Sequence, residues 1–253
     1  MTNPPFDPQQ AMESARHEFG EHGGVNMSIE ASTTFTVMTP DLMPEIFAGQ
    51  LGPNEGGCYL YGRHFNPTVF VLGRMVAAME GAQAGYGTAS GLSAIASVIM
   101  QLCAGGRSVV SSNTLYGGTY ALFEDYLPKN CNISTTFVDI QDLEAVKKAL
   151  QDGAKVLFTE TLSNPTLRAA DISALATLAK KYDATFVVDN TFTPMIFSPI
   201  QQGADVVIHS ATKFISGASD VIAGIICCSK SFIEELMDLH LGSLMLLGPT
   251  MDP

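Results

Sequence analysis

Lys213 lies among small hydroxyl residues in the stretch HSATKFIS, directly after the apolar run ADVVI. A continuous apolar run of this kind predicts a buried strand, which would place the lysine at the mouth of a sheet. A lysine held there beside Ser210 and Thr212 is a candidate nucleophile with a phosphate site around it. These three residues alone do not exclude an ordinary surface lysine.

Polar side chains also follow two further apolar runs. Asp189 and Thr191 follow the apolar run in ATFVVDNTF, and Glu160 and Asn164 lie in AKVLFTETLSNP. Because ligands bind beyond the carboxyl ends of parallel strands, we expect the three strand ends to meet at one rim, although ion pairs on an ordinary rim are the alternative for any single residue. A buried carboxylate keeps a cofactor's pyridine nitrogen protonated, and a lysine amine can hold the cofactor's aldehyde as a Schiff base. Asp189 and Lys213 supply these two groups of pyridoxal chemistry.

A phosphate site is predicted where the small residues of GYGTASGLSAIASV lead into an apolar helix. Ser90, Gly91 and Leu92 lie at this point, and the free amides and dipole of a helix N-terminus favour a phosphate. Gly85, Gly87 and Gly91 do not have the spacing of G-x-G-x-x-G, and no strand is expected directly before them. Dinucleotide binding is therefore disfavoured.

Two tyrosines and an arginine complete the candidate set. Tyr61 and Arg63, in CYLYGRHFNPT, precede the first clear helix, and an arginine fork and a tyrosine hydroxyl suit a phosphate, including that of a neighbouring subunit. Tyr116, in SNTLYGGTY, follows the apolar run of RSVVSS, where its ring could stack on a flat cofactor. The alternative for Arg63 is an ordinary surface charge, and the alternative for Tyr116 is packing in the core.

The elements that position these residues follow from the apolar pattern. Residues 1–60, rich in Gly, Pro and Asn, are predicted to form an extended arm with one short helix around QQAMESARHEF. Residues 61–253 are predicted to form an α/β domain with a mostly parallel sheet, because apolar runs without alternation indicate strands covered on both faces. Helices are predicted at 68–81, 91–103, 120–127, 142–150 and 172–182, and strands at 107–112, 133–139, 154–160, 184–190, 204–210 and 221–228.

Composition limits the classes of ligand. The formal net charge is −12, with 25 acidic against 13 basic residues, so attraction to nucleic acid or to an anionic membrane is not expected.

We find no secretory signal at the start and no stretch approaching ~18 uninterrupted apolar residues, and expect a cytoplasmic protein. The five cysteines lack metal-ligand spacing, so no metal is expected, and Cys227 and Cys228 are predicted to pack in the core.

Several motifs together resemble one family. YGRHFNPT, ASGLSAI, LYGGT, ETLSNPT, VVDNTF and HSATKFISGASDVIAG are similar in order and spacing to the pyridoxal-phosphate enzymes of cysteine and methionine metabolism, the cystathionine γ-synthase-like group. The resemblance extends over essentially the whole chain. It implies an aspartate-aminotransferase-like large domain with a mostly parallel seven-stranded sheet. Within the family, the arm and the final residues are most similar to the methionine γ-lyases of plants.

The resemblance implies a role for each candidate residue. Lys213 would be the Schiff-base lysine and proton shuttle, and Asp189, supported by Thr191, would pair with the pyridine nitrogen of pyridoxal 5'-phosphate. Tyr116 would stack on the ring and help to expel the γ-substituent. The other cofactor-binding residues would be Tyr61 and Arg63, which would reach the phosphate of the neighbouring subunit, and Ser90, Gly91, Leu92, Glu160, Asn164, Ser210 and Thr212.

The activity implied by the family is γ-elimination of a sulfur amino acid, which for methionine gives methanethiol, 2-oxobutanoate and ammonia. A homo-oligomer, a dimer of dimers with shared active sites, is implied as well. Ala218 stands where the family has His or Gly, and Gly118 stands where bacterial methionine γ-lyases have cysteine. Because related sulfhydrylases also have glycine there, γ-replacement by a cystathionine γ-synthase or an O-acylhomoserine sulfhydrylase is the alternative.

The end of the chain, LMLLGPTMDP, directly follows an apolar stretch, which predicts a truncated chain. Members of the family continue into a C-terminal subdomain that supplies the arginine for the substrate carboxylate. We expect that subdomain to be absent here. A truncated, non-catalytic partner that binds the cofactor is therefore a further alternative.

Overall fold

A seven-stranded sheet forms the centre of the fold. The structure, a computed structural model, describes residues 5–20, 22–48, 50–52 and 57–253. The strands lie in the order β1-β7-β6-β5-β4-β2-β3, and neighbouring strands are parallel except in the two pairs that involve β7. This confirms the predicted α/β fold with a mostly parallel sheet. The strands are β1 Ala84–Thr88, β2 Val109–Ser112, β3 Thr135–Val138, β4 Val156–Glu160, β5 Thr185–Asp189, β6 Val206–Ser210 and β7 Gly224–Cys228.

Several helices begin at polar side chains that accept hydrogen bonds from the free amides of the first turn. Asn66 caps α3 in front of Pro67, and Asp142, Asp171 and Ser229 cap α7, α8 and α9. The helices are α1 Pro8–Ser14, α2 Met43–Phe47, α3 Pro67–Glu80, α4 Gly91–Leu102, α5 Gly117–Ala121, α6 Leu127–Cys131, α7 Leu143–Gln151, α8 Ile172–Lys181, α9 Lys230–Leu236 and α10 Ser243–Leu247.

The core forms two layers, one on each face of the sheet. Helices α4, α9 and α10 contribute to the first layer, with Val187 and Ile208 of the sheet. Helices α3, α7 and α8 contribute to the second layer, with Val188 and Val207. Successive strand residues point to opposite faces, so Asp189 lies on the same face as Val187. We call the first side the α4 face and the second the α3 face. Cys227 and Cys228 are buried, which confirms their predicted packing.

Strand β1 falls in a stretch that was expected to be a loop. The expectation was wrong because two glycines lower the strand propensity of AGYGT. The structure gives the reason for one of them: a Cβ on Gly85 would lie 2.4 Å from the carbonyl oxygen of Gly73 in α3. Gly73 and Gly85 together let helix α3 pack directly against the backbone of β1.

The helical predictions also need correction. The helix expected at 120–127 begins at Gly117, and a π-helical turn, Leu122–Tyr126, joins α5 to α6. Helices α2, α9 and α10 were not expected, because each of them has only five or seven residues. In the part of the chain that the structure describes, none of the helices combines the length and apolar character needed to cross a membrane.

The described part of the arm is fastened to α3. Glu18 forms an ion pair with Arg74, and the backbone N–H of Glu30 donates to Oγ1 of Thr68 over 3.0 Å. The amide of Asn66 in turn donates to the carbonyl oxygen of Glu30 over 2.7 Å. These contacts hold the arm against the domain while several of its apolar side chains stay exposed, among them Phe19, Val25, Ile29 and Met38.

Candidate active site

Three neighbouring strands end in the polar residues of the candidate site. Glu160, Asp189 and Ser210 are the last residues of β4, β5 and β6, which are adjacent in the sheet. Glu160 lies opposite Asp189, and Asp189 lies opposite Ile208. The structure therefore brings the three strand ends to one edge of the sheet, as the sequence predicted.

Asp189 is held by the residue two positions further along the chain. Its Oδ1 accepts from the backbone N–H of Thr191 over 3.0 Å and from the Thr191 hydroxyl over 2.6 Å. Its Oδ2 has no donor among the described residues. Burial raises the pKa of Asp189, and the two bonds from Thr191 act in the opposite direction. Oγ1 of Thr191 also accepts from the backbone N–H of Ser210 over 2.8 Å, so one hydroxyl fixes the ends of both strands.

Glu160 bonds to two loops at once. Its Oε1 accepts from the backbone N–H of Tyr116 over 2.7 Å, and its Oε2 accepts from that of Asn164 over 2.8 Å. The residue is 6% exposed, and burial raises the pKa of its carboxyl to about 7 although both amide bonds lower it. Both oxygens of Glu160 are thus committed to backbone amides, which sets the positions of Tyr116 and Asn164.

The start of α4 lies against the end of β6. Ser90 and Ser93 form a reciprocal cap: the Ser90 hydroxyl accepts from the Ser93 amide over 3.1 Å, and the Ser93 hydroxyl accepts from the Ser90 amide over 3.0 Å. The amides of Gly91 and Leu92 have no acceptor within the helix. A Cβ on Gly91 would lie 2.7 Å from the Cβ of Ser210, so the glycine is what allows this close approach.

The lysine loop is tied to both neighbouring strands. The backbone N–H of Lys213 donates to the carbonyl oxygen of Ser210 over 3.1 Å. The Thr212 hydroxyl accepts from the N–H of Ala223 over 3.0 Å and donates to its carbonyl oxygen over 3.2 Å, just before β7. The Lys213 side chain is exposed, and across the described ranges its Nζ has neither an ion pair nor a hydrogen bond.

Tyr116, Tyr61 and Arg63 lie outside this network of side chains. The Tyr116 ring is 52% exposed, and a Cβ on Gly118 would lie 2.6 Å from its Cε1, so the ring lies over the glycine. Arg63 lies 5.6 Å from the Tyr61 ring centre, and its Nη1 donates to the carbonyl oxygen of Met245 in α10 over 2.8 Å. No described contact joins Tyr61 or Arg63 to the strand ends.

Two residues that shape the site were not predicted. Ser93 completes the cap of α4, and the spacing S-x-x-S gave only a weak signal because the usual capping box has Glu or Gln at that position. Gly224 begins β7, and a Cβ there would lie 2.2 Å from the carbonyl oxygen of Ser90. Only the three-dimensional contact identifies Gly224.

The groups at this edge fit pyridoxal phosphate. Free helix amides and the Ser210 hydroxyl suit a phosphate, the uncommitted Oδ2 of Asp189 suits a protonated pyridine nitrogen, and the uncommitted Nζ of Lys213 suits an aldehyde. The fold and the site together define an α/β domain of the pyridoxal-phosphate class.

The comparisons with known proteins agree. The family model described as Cys/Met metabolism PLP-dependent enzyme matches residues 9–253, and the chain belongs to this family. A methionine gamma-lyase of Arabidopsis thaliana is 58% identical over 97% of this chain and 56% of its own length. An O-succinylhomoserine sulfhydrylase of Pseudomonas aeruginosa is 36% identical over 92% of this chain and 55% of its own length. The chain spans about half the length of the curated relatives it matches.

Solved structures show the same fold. A cystathionine gamma-lyase of Lactobacillus plantarum, complexed with L-serine, matches with a TM-score of 0.83 and 30% identity over 97% of this chain and 60% of its own. An O-acetylhomoserine (thiol)-lyase structure from Campylobacter jejuni matches with a TM-score of 0.85 and 28% identity over 98% of this chain and 67% of its own. The latter carries N'-pyridoxyl-lysine-5'-monophosphate, and the cofactor predicted from the sequence is thus confirmed at the level of the family.

Proposed function

We propose that this chain is the cofactor-binding part of a carbon–sulfur lyase that converts methionine to methanethiol, 2-oxobutanoate and ammonia. The observation that carries the proposal is the free Oδ2 of Asp189 at the same edge of the sheet as the uncommitted Nζ of Lys213 and the free amides at the start of α4. The choice of methionine is supported by the relative named methionine gamma-lyase, which is 58% identical over 97% of this chain.

The residues would divide the work of holding the cofactor. The amides of Gly91 and Leu92 and the Ser210 hydroxyl would bind the phosphate, and Thr212 would hold the lysine loop against β7. Oδ2 of Asp189 would accept a hydrogen bond from the protonated pyridine nitrogen, while Thr191 keeps the carboxylate in place. When bound, pyridoxal phosphate supplies an electron sink for the negative charge that develops at the substrate Cα.

Two exposed side chains would assist the reaction of the substrate. Nζ of Lys213 has no ion pair in the described chain, so it is available as the base that moves protons between substrate carbons. The Tyr116 ring is exposed beside the Glu160-bound loop, where it can cover the cofactor and assist departure of the thiol. Glu160 and Asn164 would fix the loops on which these contacts depend.

A γ-replacement reaction is the second candidate, and two observations favour it. An O-succinylhomoserine sulfhydrylase is among the relatives, at 36% identity. Gly118, at a position where related sulfhydrylases also have glycine, lets the Tyr116 ring lie where a Cβ would be only 2.6 Å from its Cε1. Giving the purified chain O-succinylhomoserine and sulfide, in parallel with methionine, separates the reactions, because replacement produces homocysteine and elimination produces 2-oxobutanoate.

We also propose a shared-site dimer of dimers. Arg63 and Tyr61 have no described contact with the site of their own chain, which leaves them for the phosphate of a neighbouring subunit. The exposed apolar side chains of the arm, which include Val25, Ile29 and Met38, suit burial against a second copy. Residues 1–60 would then act as the arm and residues 61–253 as the cofactor domain of a cytoplasmic enzyme whose five cysteines stay reduced.

The test is to incubate the purified chain with pyridoxal phosphate and methionine and to measure methanethiol and 2-oxobutanoate together. We expect both products from the parent chain and neither from Lys213→Ala. A chain that binds the cofactor but forms no product would support the non-catalytic alternative. A chain that neither binds the cofactor nor forms product would refute the proposed function.

A further inference from the structure

A buried polar cluster lies on the α3 face of the sheet, behind the candidate site. Glu80, the last residue of α3, is 1% exposed, and Asn190 and His209 are fully buried. Oε1 of Glu80 lies 2.7 Å from Nε2 of His209 and accepts from Nδ2 of Asn190 over 2.8 Å. The proposed mechanism uses none of these side chains.

The cluster contains polar atoms that the fold does not satisfy. Because Oε1 of Glu80 is an acceptor, Nε2 of His209 is the donor in this contact. Oε2 of Glu80 and Nδ1 of His209 are both buried without a partner among the described residues. Leaving such groups unpaired costs stability, and replacing a buried pair by apolar side chains often costs none. A core built for stability alone does not need this cluster.

The cluster extends to a third strand end through Asn190. Oδ1 of Asn190 accepts from the Thr161 hydroxyl over 2.7 Å and from the Thr193 hydroxyl over 2.5 Å. Nδ2 of Asn190 also donates to the carbonyl oxygen of Phe197 over 2.8 Å. The loop that follows β5 is therefore fastened to both Glu80 and the end of β4.

One chain neighbour of each of three site residues, Glu160, Asp189 and Ser210, takes part in the cluster. Thr161 follows Glu160, Asn190 follows Asp189, and His209 precedes Ser210. The site residues lie at the ends of β4, β5 and β6, and the cluster joins the adjacent residues of all three strands to the end of α3.

We propose that Glu80 is a positioning residue for the site. Through His209 and Asn190 it fixes the three strand ends relative to one another, and so sets the spacing of the phosphate-binding and pyridine-binding groups on the opposite face. The role of the site residues as cofactor ligands rests on the proposed function. The fixing of the strand ends by Glu80 is independent of the proposed function.

Two readouts test this, one of which needs no cofactor. In Glu80→Met, which keeps the length of the side chain and removes the acceptor oxygen shared by His209 and Asn190, we expect amide hydrogen exchange at residues 160–164, 189–193 and 209–213 to rise about tenfold more than in the rest of the sheet, since coupling energies within buried networks have this magnitude. We expect the dissociation constant of pyridoxal phosphate, titrated by its visible absorbance, to rise by a similar factor.

The matched control is Val76→Ala, which removes buried methyl groups from the same helix and the same face. It lowers stability without removing a group of the cluster, so exchange should rise no more at the strand ends than in the rest of the sheet, and cofactor affinity should stay at the parent value. Equal effects of Glu80→Met and Val76→Ala on these two readouts would overturn the proposal. So would exchange in Glu80→Met that rises no more at the strand ends than in the rest of the sheet.

A second variant covers the case in which Glu80→Met, which leaves the His209 ring nitrogen unpaired, does not fold. The double variant Glu80→Met/His209→Phe replaces the buried pair by apolar side chains and is expected to keep the fold. Faster exchange at the strand ends and weaker cofactor binding in this folded variant would support positioning. Parent-like exchange and affinity would overturn it. If the parent chain itself binds no cofactor, that result counts against the proposed function, and hydrogen exchange alone decides the positioning role.

Discussion

The replacement Glu160→Gln is expected to remove the contribution of one buried carboxyl group to the pH dependence of the free energy of unfolding between pH 5 and pH 8. The Glu160 carboxyl is 6% exposed, and burial raises its pKa from 4.5 to about 7 in the folded chain. Because the folded pKa lies above the unfolded one, its protonation stabilises the fold. That stability is fully present below the unfolded pKa and is lost as the pH rises through the folded pKa.

The magnitude follows from the two pKa values. Between pH 5 and pH 8 the shift from 4.5 to about 7 removes about 2.5 kcal/mol from the free energy of unfolding of the parent chain. Glutamine is neutral at every pH and resembles the protonated acid. The free energy of unfolding of Glu160→Gln, relative to the parent, should therefore rise by about 2.5 kcal/mol from pH 5 to pH 8.

The assay is guanidinium unfolding of both proteins at several pH values, followed by circular dichroism. Other carboxyl groups titrate in both chains and cancel in the difference. The control is Glu144→Gln on the surface of α7, where the Glu144 side chain is 82% exposed in its pair with Lys147, so the change should stay below about 0.5 kcal/mol at every pH. Parallel pH profiles for the parent and Glu160→Gln would refute the reasoning.

Three further substitutions test close contacts of the fold and site. Gly91→Ala places a Cβ 2.7 Å from the Cβ of Ser210, so cofactor affinity measured by titration should fall about tenfold, and unchanged affinity would contradict the proposed phosphate site. Gly73→Ala places a Cβ 2.5 Å from a carbonyl oxygen of β1 and should lower the free energy of unfolding by ~1–3 kcal/mol in guanidinium, whereas parent-like stability would show that α3 can move away. Thr191→Val removes a hydroxyl that donates to Asp189, so the pKa of Asp189 measured by NMR should rise further, and a fall would contradict the hydrogen-bond account.

The sheet could be predicted because its strands are buried on both faces and appear as continuous apolar runs. Strand β1 could not be predicted, because its glycines lower the strand propensity. Gly85 is needed for the close packing of α3 against the strand, which the local sequence does not indicate. The π-helical turn Leu122–Tyr126 has no period that the apolar pattern reveals. Tertiary packing decides both features.

The convergence of Asp189, Glu160 and Ser210 could be predicted, because parallel strands bring their carboxyl ends to one edge. The hydrogen-bond partners of Glu160 could not be predicted. Both of them are backbone amides, and their positions depend on the paths of two loops. The contact of Glu80 with His209 joins residues 129 positions apart, and nothing local in the sequence indicates it.

The central claim is that Lys213, at the edge formed by β4, β5 and β6, holds the cofactor. The most direct measurement is borohydride reduction of the chain with pyridoxal phosphate, which makes the bond between lysine and cofactor permanent, followed by peptide mass spectrometry. We predict a phosphopyridoxyl group on the peptide that contains Lys213 and, in Lys213→Ala, no labelled peptide above background. A label distributed over surface lysines such as Lys129 and Lys155, or equal labelling of Lys213→Ala, would contradict the claim.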